Sequence, residues 1–508
     1  MAPAETVEAL PETLLDRRIG HGGFVVILLI ASISAFLIAV SVFWVGFLGS
    51  DDTLYWAGAG GWLAHVPYLG TTHWALRHTL VIPMAIARRL LGDGFPALLL
   101  PTLCYSVGIV VLTAIWIERA AGKLAAAAAM ALIVTNPQFV LLSSIAYIDV
   151  VEIFFVFFAF ALMHNAMDRR VTLGRGGYWA LLLLAGVSMG LAMLSRETSA
   201  FAIVAIGLLF LAGYGINRSD YFVIGTGCAF VVGLEFLFVW SMSGNLFYRF
   251  SISLHHDNSI DRWADQGAAI PIVHPLVDPV TMLLLNHNFG LLAWIGIPLA
   301  VWLARRGRLN SSGRHLLVLA VTLGVTWTVI CAGMWTLLAL VPRYFLLPAL
   351  LLSMLSGVAL ARLWYDGRRR LAASLGAVLI VANLLSLLAD NRNYMFGEFE
   401  LADIAARQAG VIHTDRQTMR RAELLLDWKG ASGRVTDAQP GSGDLFYLNP
   451  ARSSVQPSTS WIVMERHGLP PTIGQSLASH LLPAGTLSPS MYGKLGRGHP
   501  DVTLYQVP

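Results

Sequence analysis

Long apolar runs constrain the fold of this chain most strongly, and the first of them spans residues 24–48. About 20 apolar residues are enough to cross a bilayer as one helix. Hydrophobic residues make up 56% of the 508 residues and charged residues only 13%, whereas soluble domains carry about 25% charged residues. The sequence therefore predicts an all-α polytopic membrane protein. Its first run is expected to be a retained helix, because it is too long for a signal peptide and lacks a cleavage pattern.

Length and hydropathy predict about eleven transmembrane helices. Their approximate ranges are 24–48, 97–117, 123–142, 150–166, 178–194, 199–214, 221–240, 287–304, 315–334, 344–363 and 371–389. The segment 79–91 is apolar but short, and it ends in two arginines. We expect this segment to form an interfacial helix.

The loops between the apolar runs alternate in charge, and this alternation predicts the orientation. The basic residues of one side are Arg17, Arg18, Arg119, Lys123, Arg169, Arg170, Arg175, Arg218, Arg305, Arg306, Arg308, Arg314, Arg368, Arg369 and Arg370. The positive-inside rule assigns this side to the cytoplasm, which places the N-terminus inside and the chain after residue 390 outside. The length and the short loops favour a bacterial inner membrane, with a eukaryotic endoplasmic reticulum as the alternative.

An acidic pair, Asp51 and Asp52, directly follows the first apolar run. Ionised side chains at a membrane boundary are costly, so such a pair is a functional hypothesis by default. The alternative is that the two residues only end a helix at the water interface. The same side of the membrane also receives acidic, basic and aromatic residues from several other segments, which favours an active site on the outer face.

The composition changes after residue 390, which divides the chain into a transmembrane catalytic domain (1–390) and a C-terminal domain (391–508). Short strand-like runs at 411–414, 445–448, 461–464 and 502–507 alternate with helical patterns at 397–409 and 416–428. This order indicates a small mixed α/β extracytoplasmic domain. It contains no phosphate-binding loop and no zinc spacing, so we expect it to support or gate the membrane part or to help select the acceptor.

No metal site is predicted in the outer loops. The histidines there, which do not have the spacing of a strong ligand set, are His65, His73, His78, His255 and His256. A nucleic-acid role has no support either, because the basic residues lie in short loops and fit the topology.

Four segments resemble motifs of the GT-C glycosyltransferases, in particular the protein O-mannosyltransferases and the lipid A aminoarabinose transferase. Residues 51–55 (Asp-Asp-Thr-Leu-Tyr) resemble the Asp-Glu-x-x-Tyr motif, and Asn136-Pro137 followed by Ile148-Asp149 is similar to the second acidic site. Residues 190–198 resemble a Gly-Leu-Ala-x-Leu-(Ser/Thr)-Lys segment, and residues 342–348 resemble an Arg-Tyr-x-x-Pro stretch. The resemblance covers roughly residues 20–390. It departs from the family where Asp replaces the usual Glu at position 52, and where Leu-Arg-His-Thr-Leu at 76–80 replaces a Lys-Pro-Pro-Leu-like stretch.

The resemblance implies an inverting transfer of a sugar from a polyprenyl-phosphate donor to a hydroxyl of a lipid, glycan or protein acceptor. Asp51 is the expected general base, with Asp52 and Asp149 as the other acidic residues of the catalytic site. The residues expected to bind the donor phosphate are Arg343, Arg196 and Tyr344, since cations stabilise a leaving phosphate. The expected substrate contacts are Tyr55, His78 and Glu197. No cofactor is required, and a divalent cation at the carboxylates is the alternative.

Each of the two arginines also has an interpretation without a role in phosphate binding. Arg343 could reach the interface only to solvate its charge, and Arg196 could pair locally with its neighbour Glu197. The alternative functions are a transporter or lipid flippase, or a non-catalytic partner of an envelope glycan assembly system. Transporters place ionisable residues near the midplane of their spans, whereas the spans here are nearly free of charge, with Glu152 and Glu235 as the exceptions.

Overall fold

The chain folds into a large helical part followed by a small sheet. The computed structural model describes residues 21–255, 277–333, 341–389, 394–469, 471–483, 486 and 500–508. The helices up to the first long gap are α1 (His21–Val42), α2 (Asp51–Ala64), α3 (His78–Leu91), α4 (Phe95–Ala121), α5 (Lys123–Val134), α6 (Pro137–Ser143), α7 (Ile148–Asp168), α8 (Arg175–Ser195), α9 (Ala200–Ala212), α10 (Arg218–Ser243) and α11 (Tyr248–His255). The later helices are α12 (Asp278–Leu285), α13 (Leu292–Arg306), α14 (Ser311–Gly333), α15 (Leu346–Tyr365), α16 (Arg369–Ala389), α17 (Phe396–Arg407), α18 (Arg416–Trp428) and α19 (Ile473–Leu481).

Among the described residues, eight helices are long and apolar enough to cross a membrane, or nine if one bent pair is counted as a span. The protein is therefore a multi-pass membrane protein, with fewer long spans than the eleven expected. Two of the expected spans are short: α9 has 13 residues and α13 has 15. At about 1.5 Å per residue these helices are about 20 and 23 Å long, less than the hydrocarbon thickness of about 30 Å.

The bent pair, α5 and α6, changes direction by 62° between residues 134 and 137. Pro137 has no N–H to continue the hydrogen bonds of α5, and it suits the first position of a new helix. Asn136 caps that helix, since its side chain accepts a hydrogen bond from the Phe139 N–H at 3.0 Å. The break places α6 just before the segment that carries Asp149.

Helices α8 and α10 pack closely against each other. A Cβ atom added to Gly186 would lie 2.0 Å from the carbonyl oxygen of Ile224, and one added to Gly227 would lie 2.3 Å from that of Leu183. Small residues allow such close approach between membrane helices. The close contact sets how α8 lies against α10, and Arg196 directly follows α8.

The C-terminal strands form one five-stranded sheet, in the order β2-β1-β3-β5-β4. Its strands are β1 (Ile412–His413), β2 (Val435–Thr436), β3 (Leu445–Leu448), β4 (Ile462–His467) and β5 (Val502–Gln506). Strand β1 is parallel to β2 and β3, whereas β5 is antiparallel to β3 and β4. The mixed α/β character of this region is confirmed. Strand β2, which has two residues, and helix α19 were not expected.

The core of the C-terminal region is continuous with the helices between α1 and α4. Buried side chains of α2 and α3, among them Tyr55 and Leu80, belong to the same apolar cluster as Leu425 and Tyr447. The expected domain boundary at residue 390 and the predicted cytoplasmic Arg17-Arg18 pair lie outside the described residues. The division into two domains stays a prediction.

Candidate active site

Asp51 and Asp52 open α2, and the fold gives them different surroundings. Asp52 is completely buried. Its carboxylate accepts hydrogen bonds from the backbone N–H groups of Leu48 and Ser50, both at 2.7 Å, and from Thr53 at 3.1 Å. Burial raises the pKa of Asp52 although these three bonds oppose the shift. Asp52 is therefore engaged in closing the turn before α2.

Asp51 stays 20% exposed at its side chain and pairs with Arg343, whose Nη1 lies 3.1 Å from the Asp51 Oδ2. Arg343 lies in a 3₁₀ turn, Pro342–Phe345, that leads into α15. Its guanidinium is also 5.0 Å from the ring centroid of Tyr147 and 5.6 Å from that of Tyr344. The expected base and the first expected phosphate-binding cation are thus neighbours. The alternative that Arg343 only reaches the interface to solvate its charge does not account for this contact.

Nearby guanidinium groups control the charge of Asp51. Burial alone would raise its pKa, but the charges of Arg343, Arg77 and Arg196 outweigh burial and lower the pKa below the ordinary 3.8. Asp51 is therefore a carboxylate at neutral pH and can accept a proton.

A second ion pair joins Asp149 to Arg196, with 2.5 Å between Oδ1 and Nη1. The Arg196 guanidinium lies 4.4 Å from the ring centroid of Tyr344, the residue next to Arg343. The other carboxylate oxygen of Asp149 is buried and has no hydrogen-bond partner among the described residues. The local pair of Arg196 with Glu197 that the sequence left open does not form, because Arg196 turns to Asp149.

Tyr55 is fully buried, and its hydroxyl accepts a hydrogen bond from the guanidinium of Arg77. Burial raises the pKa of Tyr55 well above 10.0, so the phenol stays neutral. Arg77 was not among the expected site residues. The sequence could have pointed to Arg77, because it lies in the 76–80 stretch that replaces the Lys-Pro-Pro-Leu-like sequence of the family.

His78 and Glu197, two of the expected substrate contacts, belong to a further set of ion pairs with Glu235 and Arg249. The Nδ1 of His78 lies 3.0 Å from a carboxylate oxygen of Glu235. The guanidinium of Arg249 lies 3.4 Å from the other carboxylate oxygen of Glu235 and 3.0 Å from a carboxylate oxygen of Glu197. Burial would raise the pKa of Glu197, but the charges of Arg249 and Arg77 outweigh it and lower the pKa to about 2. Glu235 and Arg249 were not among the expected site residues. For Glu235 the sequence offered a signal, because an ionisable residue within an apolar span is unusual.

Within the described ranges, no group of three or more His, Cys, Asp or Glu side chains could hold a metal ion. The adjacent His256 and Asp257 lie outside those ranges. Dependence on a divalent cation stays an untested alternative.

A family model described as dolichyl-phosphate-mannose-protein mannosyltransferase matches residues 78–242. Several solved structures match most of the chain. ArnT from Cupriavidus metallidurans bound to undecaprenyl phosphate has a TM-score of 0.54 at 12% identity, over 85% of this chain and 94% of that one. Its apo form gives 0.57 at 13% identity, over 87% and 96%. The chain therefore has the fold of these solved structures.

Two oligosaccharyltransferase structures share this fold over most of the chain. The Archaeoglobus fulgidus oligosaccharyltransferase in complex with Zn and sulfate has a TM-score of 0.52 at 15% identity, over 81% of this chain and 62% of that one. The same organism's AglB in complex with an inhibitory peptide and a dolichol-phosphate gives 0.51 at 13% identity, over 82% and 64%. No curated protein matches the sequence. The family-model match includes Asp149 and Arg196, whereas Asp51 and Arg343 lie outside it.

Proposed function

We propose that this protein is a GT-C glycosyltransferase that transfers a sugar from a polyprenyl-phosphate donor to a hydroxyl of a lipid, glycan or protein acceptor, with inversion. The observation that carries the proposal is the 3.1 Å contact between Asp51 and Arg343. It brings together a carboxylate that can take a proton and a cation that can bind a phosphate. The undecaprenyl phosphate and dolichol-phosphate bound by two structural neighbours support a lipid-linked donor.

Asp51 is the general base in this reaction. The acceptor hydroxyl attacks the anomeric carbon and loses its proton to the Asp51 carboxylate, while the bond from that carbon to the donor phosphate oxygen breaks. A single displacement needs only one base and inverts the anomeric centre. The polyprenyl phosphate leaves with the electron pair of the broken bond.

Arg343 binds the donor phosphate and stabilises the negative charge that grows on it. Its guanidinium can hold two phosphate oxygens at once. When the phosphate binds Arg343, the pair with Asp51 loosens, so the influence that lowers the pKa of Asp51 weakens. Binding of the donor thereby makes Asp51 a stronger base at the moment when the acceptor is activated.

The second ion pair supplies the remaining groups. Arg196 is a further cation for the phosphate, and Tyr344 lies between the two arginines. Asp149 holds Arg196 with one oxygen, and its unpartnered oxygen can accept a hydrogen bond from the acceptor hydroxyl. Asp52 contributes by fixing the turn that carries Asp51. Tyr55, His78 and Glu197 remain the proposed substrate contacts.

We place the protein in the bacterial inner membrane, with the N-terminus in the cytoplasm and the C-terminal region in the periplasm. The charge alternation of the loops supports this orientation. The donor then presents its sugar at the outer leaflet, next to Asp51.

The test follows sugar loss from a panel of polyprenyl-phosphate sugars by mass spectrometry, with purified protein and extracted membrane lipids as acceptors. Wild type is compared with Asp51→Asn and with the control Asp93→Asn, which changes an exposed carboxylate paired with Arg88. Donor consumption by wild type and by the control, with loss of at least about 100-fold in Asp51→Asn, supports the proposal. Equal consumption by all three proteins removes Asp51 as the base. No consumption by folded wild type with any donor contradicts the transferase function.

A further inference from the structure

The C-terminal region contacts the carboxylate pair of the active site through helix α18. The Nη1 of Arg421 donates a hydrogen bond to the carbonyl oxygen of Leu48 at 2.9 Å, across 373 positions of sequence. The N–H of the same Leu48 donates to Asp52 at 2.7 Å. One backbone residue therefore connects α18 to the turn that closes on Asp52 and presents Asp51.

The backbone of that turn lies directly against α18. Gly49 has a positive φ of 59°, a conformation that favours glycine. A Cβ atom at this position would be 2.7 Å from the carbonyl oxygen of Arg421 and 2.8 Å from the Cε of Met395. Only glycine fits here without displacing the turn from α18.

Trp428, at the end of α18, holds the chain on both sides of the turn. Its ring centroid is 6.3 Å from that of Phe47, which precedes the turn, and 5.1 Å from that of Trp56, which follows it on α2. It also packs edge-on against Phe95, with 4.9 Å between centroids. These rings and the Arg421 hydrogen bond fix the segment 47–56 at both ends.

We propose that α18 is a positioning element of the active site, and that Arg421 and Trp428 are its positioning residues. They do not touch the substrate but keep the Asp51 carboxylate where it can take the acceptor proton. The proposal rests on the proposed role of Asp51 as the base. A displacement of a reacting group by about 1 Å can cost about 100-fold in rate, so a contact of this kind affects turnover without changing a reacting atom.

The test compares Arg421→Ala, Arg421→Lys and Arg420→Ala, where Arg420 is the exposed neighbour on the same helix. We expect Arg421→Ala to lower kcat about 10- to 100-fold, with the KM for the donor changed by less than about threefold because the phosphate site is left intact. Arg421→Lys should recover part of kcat, since an ammonium group can also donate to the Leu48 carbonyl. Arg420→Ala should stay within about twofold of wild type.

A second measurement, hydrogen–deuterium exchange of a peptide covering residues 47–56, reports on the contact without relying on activity. Faster exchange in Arg421→Ala, and wild-type exchange in Arg420→Ala, supports the contact. Unchanged exchange, or a wild-type kcat in Arg421→Ala, overturns the proposal. Equal loss of kcat in the alanine and lysine variants, together with a matching loss of thermal stability, also overturns it, because this outcome describes a general folding defect. If wild type consumes no donor, the proposed function fails, and the exchange result still decides whether α18 holds the turn.

Discussion

Replacing Arg249 by methionine is expected to destabilise the protein strongly. The Arg249 side chain is only 5% exposed, and its nitrogens contact the carboxylates of Glu197 at 3.0 Å and Glu235 at 3.4 Å. They also donate to three backbone carbonyl oxygens, those of Leu76 at 3.2 Å and of Met193 and Leu194 at 3.1 Å each. The Arg249 side chain, which belongs to α11, thus contacts three other parts of the fold: the start of α3, the end of α8 and helix α10.

The magnitude follows from what the substitution leaves behind. Glu235 is 6% exposed at its side chain, and among the described residues it keeps only His78 as an ion-pair partner. Removing one member of a buried ion pair costs about 3–5 kcal/mol, because the remaining charge is buried without compensation. We therefore expect Arg249→Met to lower the free energy of unfolding by about 3–5 kcal/mol. The exposed Arg89→Met should change it by less than about 0.5 kcal/mol.

The assay is reversible unfolding of the purified protein in detergent, followed by tryptophan fluorescence. A double-mutant cycle with Glu235→Gln measures the coupling, since removing both charges together leaves no buried charge at position 235, and Glu197, which also loses Arg249, is partly exposed. The double variant should be more stable than Arg249→Met alone. A double variant whose loss equals the sum of the two single losses would refute the argument from the buried charge.

The pH dependence of stability gives an independent reading of the same network. The pKa of Glu197 is lowered from 4.5 to about 2 by its cationic neighbours, chiefly Arg249. An acid with a lowered pKa stabilises the folded state above its unfolded pKa, and this contribution is lost as the pH falls from about 4.5 towards 2. Arg249→Met should remove much of this dependence, and a variant with the wild-type pH dependence would contradict the assignment.

Three further changes test other parts of the structure. Arg343→Ala should lower kcat at saturating donor by about 10²–10³-fold, as expected for loss of one group that stabilises growing charge; a change confined to KM would assign Arg343 to ground-state binding only. Asp52→Asn should reduce both thermal stability and kcat, because the amide can accept fewer of the three backbone N–H bonds, while the pH profile of kcat keeps its shape; a shifted profile would give Asp52 a direct proton-transfer role. Gly186→Val should prevent recovery of monodisperse protein, since its Cβ would meet the Ile224 carbonyl at 2.0 Å, and Gly207→Ala, which has open space, serves as the control with normal recovery.

The sequence was enough to predict those features that depend on one segment of the chain alone. The apolar runs predicted a multi-pass membrane protein, because a helix that crosses a bilayer needs about 20 consecutive apolar residues whatever surrounds it. The short motifs at residues 51–55, 190–198 and 342–348 predicted a resemblance to the GT-C glycosyltransferases, and the family-model match at 78–242 includes one of these three motifs. Helices 397–409 and 416–428 and strand 445–448 were found within two residues of their observed bounds. Strand β2 was missed because a two-residue strand carries no period of its own.

Partner choice and burial were decided only by the tertiary structure. Arg196 pairs with Asp149 across 47 positions instead of with the adjacent Glu197, because the packing of α8 aims the arginine at the start of α7. Asp52 is buried and Asp51 stays partly exposed, although the two are adjacent residues of the same type. The contact of Arg421 with Leu48 joins two segments that are 373 positions apart in the sequence. Hydrophobicity and spacing are properties of one segment, whereas an ion pair or a desolvated carboxylate depends on which segments meet.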